Sequence, residues 1–331
     1  MLIGKSCSIT TILLPVYGRA ELLAEAWASL RAQTDPHWQL LLADDGSDGA
    51  TAAWIAAGPA KDPRTIWIRR SQNLGLFANL NAALETLAEG SWVLLLCSDD
   101  RLLPHAVAGL NQLRLAWPQA LWIISTHRSI GPAGEALACT SAFDHGRFAP
   151  STRMIPAAEF VPLLLQYGSL NGNLTGMAFS LDLWRAAGPF RPDWSHAADW
   201  EWLIRAGEQA PALLNREPLA EVRSHPAQLS NANRRGGEEL REVAAVQRLL
   251  MAHPLLQLER RRRQWAAHRL HFQLWNLLKD ALRGRTKGLR EGLEEIQGTV
   301  GIGAVLLALV AWLPQRWQLR RRSRCSDPGV R

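Results

Sequence analysis

The chain has 331 residues, 47% hydrophobic and 20% charged. This excludes a disordered or fibrous chain and allows one large core plus a smaller second unit. The formal charge is +7, but the excess arginines lie in "ERRRRQWAAHR" and "RWQLRRRSR" of the last quarter, so the basic character belongs to a tail. Cys7, Cys97, Cys139 and Cys325 stand far apart with no CxxC spacing, which excludes a zinc ribbon and reads as reduced thiols in a cytoplasmic protein.

In chain order, "MLIGKSCSITTILLPVYGR" has a short apolar run without a long h-region or a small-x-small cleavage site, so a strand is expected there and not a signal peptide. "SITTILLPVY" reads as a strand and "AELLAEAWASLRAQ" as a helix. "WQLLLADD" is the next strand, and "DGATAAWIAAG" a helix ended by Gly58-Pro59. "TIWIRR", "LFANLNAALETLAEG", "WVLLLCSDD", a helix after Pro104 and "ALWIIST" continue the alternation. Unbroken apolar strands between amphipathic helices predict a Rossmann-like, mostly parallel α/β sheet covered on both faces. Ligands of such sheets sit at the carboxyl ends of the strands. Tyr17-Gly18-Arg19, Asp44-Asp45, Ser71-Gln72-Asn73 and Ser98-Asp99-Asp100 all fall there.

Beyond residue 130 the pattern is irregular. "GPAGEALACTSAFDHGRFAPS" reads as a loop or hairpin, and "AAEFVPLLLQYG" as a helix bent near Pro162. "GNLTGMAFSLDLWRAAGPF" reads as a strand and short helix, "AADWEWLIRAGEQ" as a helix, and "LAEVRSHPAQLS" as a strand leading into a loop. From about Gly237 the chain reads as wholly helical.

No G-x-G-x-x-G follows the first strand and no Walker lysine motif is present. "DDGSDG" opens like an EF-hand loop, but Ile55 stands where its bidentate Glu belongs. What remains is a sheet rim of carboxylates. Asp99 and Asp100 suit a hard divalent cation, Mg²⁺ or Mn²⁺, which takes few protein ligands and can neutralise a departing diphosphate. A solvated turn or helix cap explains the same pair equally well. Asp45 suits a base N–H or ribose hydroxyls, with Gly46 allowing close approach; turn chemistry, with Ser47 or Asp48 capping the next helix, is the alternative. Asn73 can bond a ligand, and Asn81 is either a ligand contact or an interior tie.

"PVYGR", "LLLADDGSDGAT", "NLGLFANLNAAL" and "LLLCSDDRLLP", in this order and spacing, resemble the donor half of a family 2 glycosyltransferase of the GT-A fold. The resemblance is close over residues 8 to about 128, looser through "HAADWEW" and "VRSHPAQLS", and stops near residue 235. It implies a GT-A domain over 1–235, with a donor half to about 128 and an acceptor half from about 129, then a helical basic extension over 236–331. It also implies a nucleotide-sugar donor, of the UDP-sugar kind, and a saccharide or lipid-linked acceptor, with inversion, in cell-surface polysaccharide or glycolipid synthesis.

Pro15, Tyr17, Arg19, Asp45 and Asn73 then hold the base and ribose, and Asp99 and Asp100 the metal and diphosphate. Asp199 is the general base with Glu201 behind it, and His225 meets the metal or diphosphate. An inverting transfer needs such a base opposite the leaving group, and Trp200 and Trp202 would exclude water from it or stack on sugar faces. A helix-start Asp facing the macrodipole is the plain reading of Asp199, and a structural His that of His225. Three positions depart from the family pattern: Gly18 for the usual Asn, Asp48 one place early, and Cys97 for the first Asp of the metal motif.

The tail places Leu258, Trp265 and Phe272 seven apart beside Arg260 to Arg263 and Arg269. Packing on the core with a solvated basic face, docking on a membrane, and nucleic-acid binding all fit this pattern. Residues 298–314, "GTVGIGAVLLALVAWLP", are too short to span a bilayer and favour the membrane surface over nucleic acid, which is not an expected partner. Two other functions fit the rim of carboxylates: a nucleotidyltransferase, releasing pyrophosphate, and a non-catalytic nucleotide-sugar-binding protein.

Overall fold

The computed structural model describes residues 9–137, 150–170 and 173–325, with side chains to residue 314 apart from 231, 235 and 236. Cys7, Cys139 and most of the expected hairpin after residue 131 lie outside the described residues. The chain divides into two compact units, Met1–Phe160 with Ser169–Asn231, and Val161–Gly168 with Ala232–Arg331.

The first unit is built on one nine-stranded sheet. Its strands are β1 (Thr10–Val16), β2 (Trp38–Asp44), β3 (Thr65–Arg69), β4 (Trp92–Leu95), β5 (Arg101–Leu102), β6 (Trp122–Ile130), β7 (Arg153–Ile155), β8 (Met177–Ser180) and β9 (Ala212–Arg223). Their order is β3-β2-β1-β4-β8-β6-β9-β5, with β7 also on β9. The pairs β3–β2–β1–β4 are parallel, and β6 is parallel to β9. Strand β8 enters between β4 and β6, antiparallel to both, and β5 and β7 oppose β9. The expected parallel arrangement holds from β3 to β4, but the sheet as a whole is mixed, and the reversed strand in its middle is what the sequence pattern did not disclose.

Helices α1 (Ala20–Arg31), α2 (Gly49–Ala57), α3 (Leu76–Leu84) and α4 (Ala106–Ala116) follow the strands as expected. On one face of the sheet, Ile12, Leu14, Leu40, Leu42 and Leu94 pack with Leu23 and Leu30 of α1, Ile55 of α2 and Leu110 of α4. Alternate residues Leu13, Leu41 and Leu95 are buried too, so these strands are apolar on both faces, as covered parallel strands are. Pro15 lies where β1 and β4 part. Thr10 to Leu13 pair with β4, and Leu13 O accepts the last bond, from Leu96 N. A residue with no N–H costs no ladder bond there, and the strand ends open beyond it.

Helix α5 (Ala157–Tyr167) contains Pro162. Helices α6 (Leu181–Ala187) and α7 (Ala198–Gln209) lie between β8 and β9, and α8 (Leu229–Gly236) follows β9. The second unit contains α9 (Glu238–Ala252), α10 (Arg262–Leu282), α11 (Leu289–Thr299) and α12 (Ile302–Cys325). The residues spaced seven apart, Leu258, Trp265 and Phe272, do not form the buried face of α10. Leu258 is 96% exposed ahead of α10, and Ala266, Ala267, Leu270 and Leu274 face the interior. Trp265 and Phe272 instead carry Arg261 and Arg234 over their rings. Among the described residues no single helix is long and apolar enough to cross a membrane; Leu289–Thr299 and Ile302–Pro314 form a pair bent by 97°.

Candidate active site

The turn after β1 is left-handed at two successive residues, Gly18 (φ 66°) and Arg19 (φ 59°), a conformation costly for a side-chain-bearing residue. It is held by Gly18 N donating to Ser47 Oγ at 2.9 Å, and Ser47 N in turn donates to buried Asp44 Oδ1 at 2.8 Å. Tyr17 is 60% exposed beside it. Arg19 reaches away from the turn. Its guanidinium donates to Ala227 O and lies 4.0 Å from Asp99 Oδ2.

Asp45 fixes the next loop. Its Oδ1 accepts from Leu74 N at 2.8 Å and its Oδ2 from Gly75 N at 2.9 Å, while Asn73 Oδ1 accepts from the same Gly75 N. Each carboxylate oxygen keeps a second lone pair. Gly46 is needed where the loops touch: a Cβ there would stand 3.1 Å from the main-chain carbon of Gln72. Asp48 caps α2 by accepting from Thr51 N, and Asn81 is an interior tie, bonded in both directions to the main chain of Phe190.

Asp99 and Asp100 leave β4 in opposite directions. Asp100 is 1% exposed. Its Oδ1 accepts from Arg223 N at 2.8 Å, and its Oδ2 from Thr175 Oγ1 at 2.5 Å and Asn173 Nδ2 at 3.3 Å. Burial first, then the neighbouring Asp99 charge, push its carboxyl up to about 7 against these donors. Thr175 Oγ1 also accepts from Cys97 N, so Cys97 belongs to this brace. Asp99 faces outward, with its Oδ2 3.0 Å from His225 Nε2. Fully buried Arg223 binds Asp99 O through Nε at 2.9 Å and Pro132 O through Nη1 at 2.8 Å, and pairs with Glu25 of α1 at 2.5 Å.

Asp199 sits in the first turn of α7, half-buried, with Oδ1 accepting from Trp200 N at 2.8 Å. Burial pushes the Cys97 thiol well up, and the charges of Asp100, Asp99 and Asp199 add to the effect.

Residues 11–113 match the glycosyl transferase family 2 model. That stretch, about a third of the chain, is similar to the family 2 glycosyl transferases. The chain is also 30% identical over 205 residues to the uncharacterized protein y4gI of Sinorhizobium fredii, covering 61% of this chain and 20% of that protein; it spans about a fifth of that relative's length. TarS 1-349 of S. aureus is similar in fold at 16% identity, with TM-score 0.62 over 89% of this chain and 82% of that one. The same TarS region in complex with UDP-GlcNAc gives 0.63 at 16% identity, over 88% and 81%. The mannosyltransferase PcManGT of Pyrobaculum calidifontis, in complex with GDP-Man and Mn2+, gives 0.55 at 15% identity, over 91% and 86%.

Of the expected rim residues, Arg19 and His225 both come to Asp99, at 4.0 Å and 3.0 Å. The Asp99 and His225 side chains are mostly buried where they meet, with the half-exposed Arg19 guanidinium beside them, and Asp100 and Asp45 bond the scaffold. Glu201 does not stand beside Asp199 as a spare base, because both its oxygens are bonded to Arg205 at 2.8 Å. Trp202 does not stack on a sugar. It is fully buried, at 5.1–6.1 Å from the Trp122, Phe179 and Phe190 rings, and Trp200 is buried as well.

Among the described residues no group of three or more His, Cys, Asp or Glu is arranged to hold a metal. A hard cation with substrate phosphates needs only one or two protein ligands, and the Asp99 carboxylate and His225 imidazole, 3.0 Å apart, are the residues that would hold it. Asp100 is almost fully buried, with Oδ2 accepting from both Thr175 and Asn173 and Oδ1 from Arg223 N. Sequence reasoning missed Thr175, Glu25 and Arg223. Only Arg223 left a signal, an arginine at the end of β9 two residues before His225.

Proposed function

We propose that the protein is a glycosyltransferase moving a sugar from a nucleoside-diphosphate donor to an acceptor hydroxyl with inversion. The observation that carries this reading is the convergence of Arg19, Asp99 and His225 at the carboxyl ends of β1, β4 and β9. The neighbours' printed ligands, UDP-GlcNAc and GDP-Man, are both nucleoside-diphosphate sugars and support the donor class. Tyr17 and the main chain around Pro15, Asp45 and Asn73 would take the base and ribose, and Arg19 the diphosphate charge.

Asp99 and His225 would hold a Mg²⁺ or Mn²⁺, which would supply Lewis-acid stabilisation of the leaving diphosphate. Asp199 takes the proton from the acceptor O–H as that oxygen bonds to the anomeric carbon, and the bond from that carbon to the diphosphate oxygen breaks. Buried Trp200 beside Asp199 helps keep water from the base. The acceptor is a saccharide, free or lipid-linked.

The test is incubation with a panel of nucleoside-diphosphate sugars and Mn²⁺, with and without saccharide acceptors. Release of nucleoside diphosphate is the expected product. Pyrophosphate would make it a nucleotidyltransferase, and saturable binding with no release a binding protein.

A further inference from the structure

Helix α12 has two faces with different surroundings. Val305, Ala308 and Leu309 are buried, and Trp312 lies 4.9 Å from the His271 ring and 6.4 Å from those of Phe272 and Trp275 on α10. The opposite face presents Leu306, Leu307, Val310 and Leu313 to solvent, with Leu307 74% and Val310 64% exposed. The spacing 306, 307, 310, 313 is one continuous helical stripe. None of the residues from Ile302 to Pro314 is charged. An uninterrupted apolar stripe open to water marks an interaction surface.

Charge on the same helix selects the occupant. From residue 315 to Cys325 the sequence carries Arg316, Arg320, Arg321, Arg322 and Arg324, and no acidic residue occurs between Glu295 and Asp327. A second copy packed on this helix would bring a like-charged arginine run close to the first. A surface of anionic lipid offers an apolar layer to the stripe and phosphates to the arginines. The stripe does not span a bilayer, because Ile302 to Pro314 covers roughly 20 Å as a helix against about 30 Å of hydrocarbon.

We propose that α12 docks the protein on an anionic membrane surface. The Leu306–Leu313 stripe enters the boundary between headgroups and acyl chains, and the arginine-rich end of the helix binds lipid phosphate.

The test is sedimentation of the full chain with vesicles of equal parts phosphatidylglycerol and phosphatidylcholine, and with phosphatidylcholine alone. Binding to the anionic vesicles is expected to be at least about tenfold tighter and to weaken as salt is added. Leu307→Glu with Val310→Glu should reduce it about tenfold or more with unchanged helical circular dichroism. Should that variant misfold, Arg320→Gln, Arg321→Gln and Arg322→Gln together should remove the preference for anionic lipid. Equal binding to both vesicles, or none, overturns the proposal. So does a dimer in light scattering that Leu307→Glu with Val310→Glu splits, since the stripe would then be covered by a second copy.

Discussion

Asp99 Oδ2 lies 3.0 Å from His225 Nε2 across 126 residues of sequence, while Asp100, its immediate neighbour, turns inward to Thr175 and the main chain of Arg223. The two adjacent carboxylates thus have separate partners, one meeting His225 and the other tying the turn to the sheet.

Substitution should separate those tasks. Asp99→Ala is expected to lower turnover roughly 100-fold and abolish the Mn²⁺ dependence of donor binding, with stability changed by no more than about 0.5 kcal/mol. Asp100→Ala leaves buried donors unpaired and should cost about 1–3 kcal/mol of stability. Urea unfolding beside titration calorimetry of a nucleoside diphosphate measures both. Similar stability losses in the two variants would refute the division.

Asp199→Asn should reduce kcat by about 10²–10⁴-fold while leaving the donor dissociation constant nearly unchanged, because a general base acts on the acceptor's proton. Glu201→Gln should instead destabilise the fold by weakening the Arg205 pair. Loss of donor affinity in Asp199→Asn would make that residue a binding group.

Acidity gives a third expectation. Burial and the Asp99 charge raise the folded-state carboxyl of Asp100 to about 7, above its ordinary value near 3.9. An acid raised on folding binds its proton more tightly in the native state. Its stabilising contribution is complete below the ordinary value and is lost as pH rises from about 4 to about 7. Wild type should therefore lose stability over that interval relative to Asp100→Asn, and unfolding midpoints of both proteins across it give the slope. A constant difference would place the Asp100 carboxyl near its ordinary value.

Glu25→Gln removes the counter-charge of buried Arg223 and should cost about 1–3 kcal/mol. It should also weaken donor binding, since Arg223 holds Asp99 O and the main chain leading to His225. Arg223→Lys keeps the charge but loses the fork that serves Asp99 O, Pro132 O and Glu25 together, and should do the same. Donor affinity unaffected in both variants would show that the turn keeps its shape without the clamp.

The parallel half of the sheet was legible because Thr10–Val16, Trp38–Asp44 and Trp92–Leu95 are apolar on both faces and bounded by turn residues. The acceptor half was not. β5 and β7 are two and three residues long, too short to carry any periodicity, and nothing in "MAFS" says that its strand runs against its neighbours. Which of two adjacent aspartates faces outward depends on strand direction and on partners more than seventy residues away. The buried seam of α10 was not legible because small alanines form much of it, while larger aromatics sit at its edge under arginines.

The insertion of β8 between β4 and β6 has a consequence for synthesis. A nascent chain that has produced the family-matched region, residues 11–113, holds Asp100 with neither Thr175 nor Arg223 yet made. The turn can close only when segments more than a hundred positions apart meet, late in elongation and at a high entropic cost of long-range contact. Ribosome release near residue 130 would leave an edge strand unpaired and prone to association, so competence to bind a donor should arrive in one step, after β9.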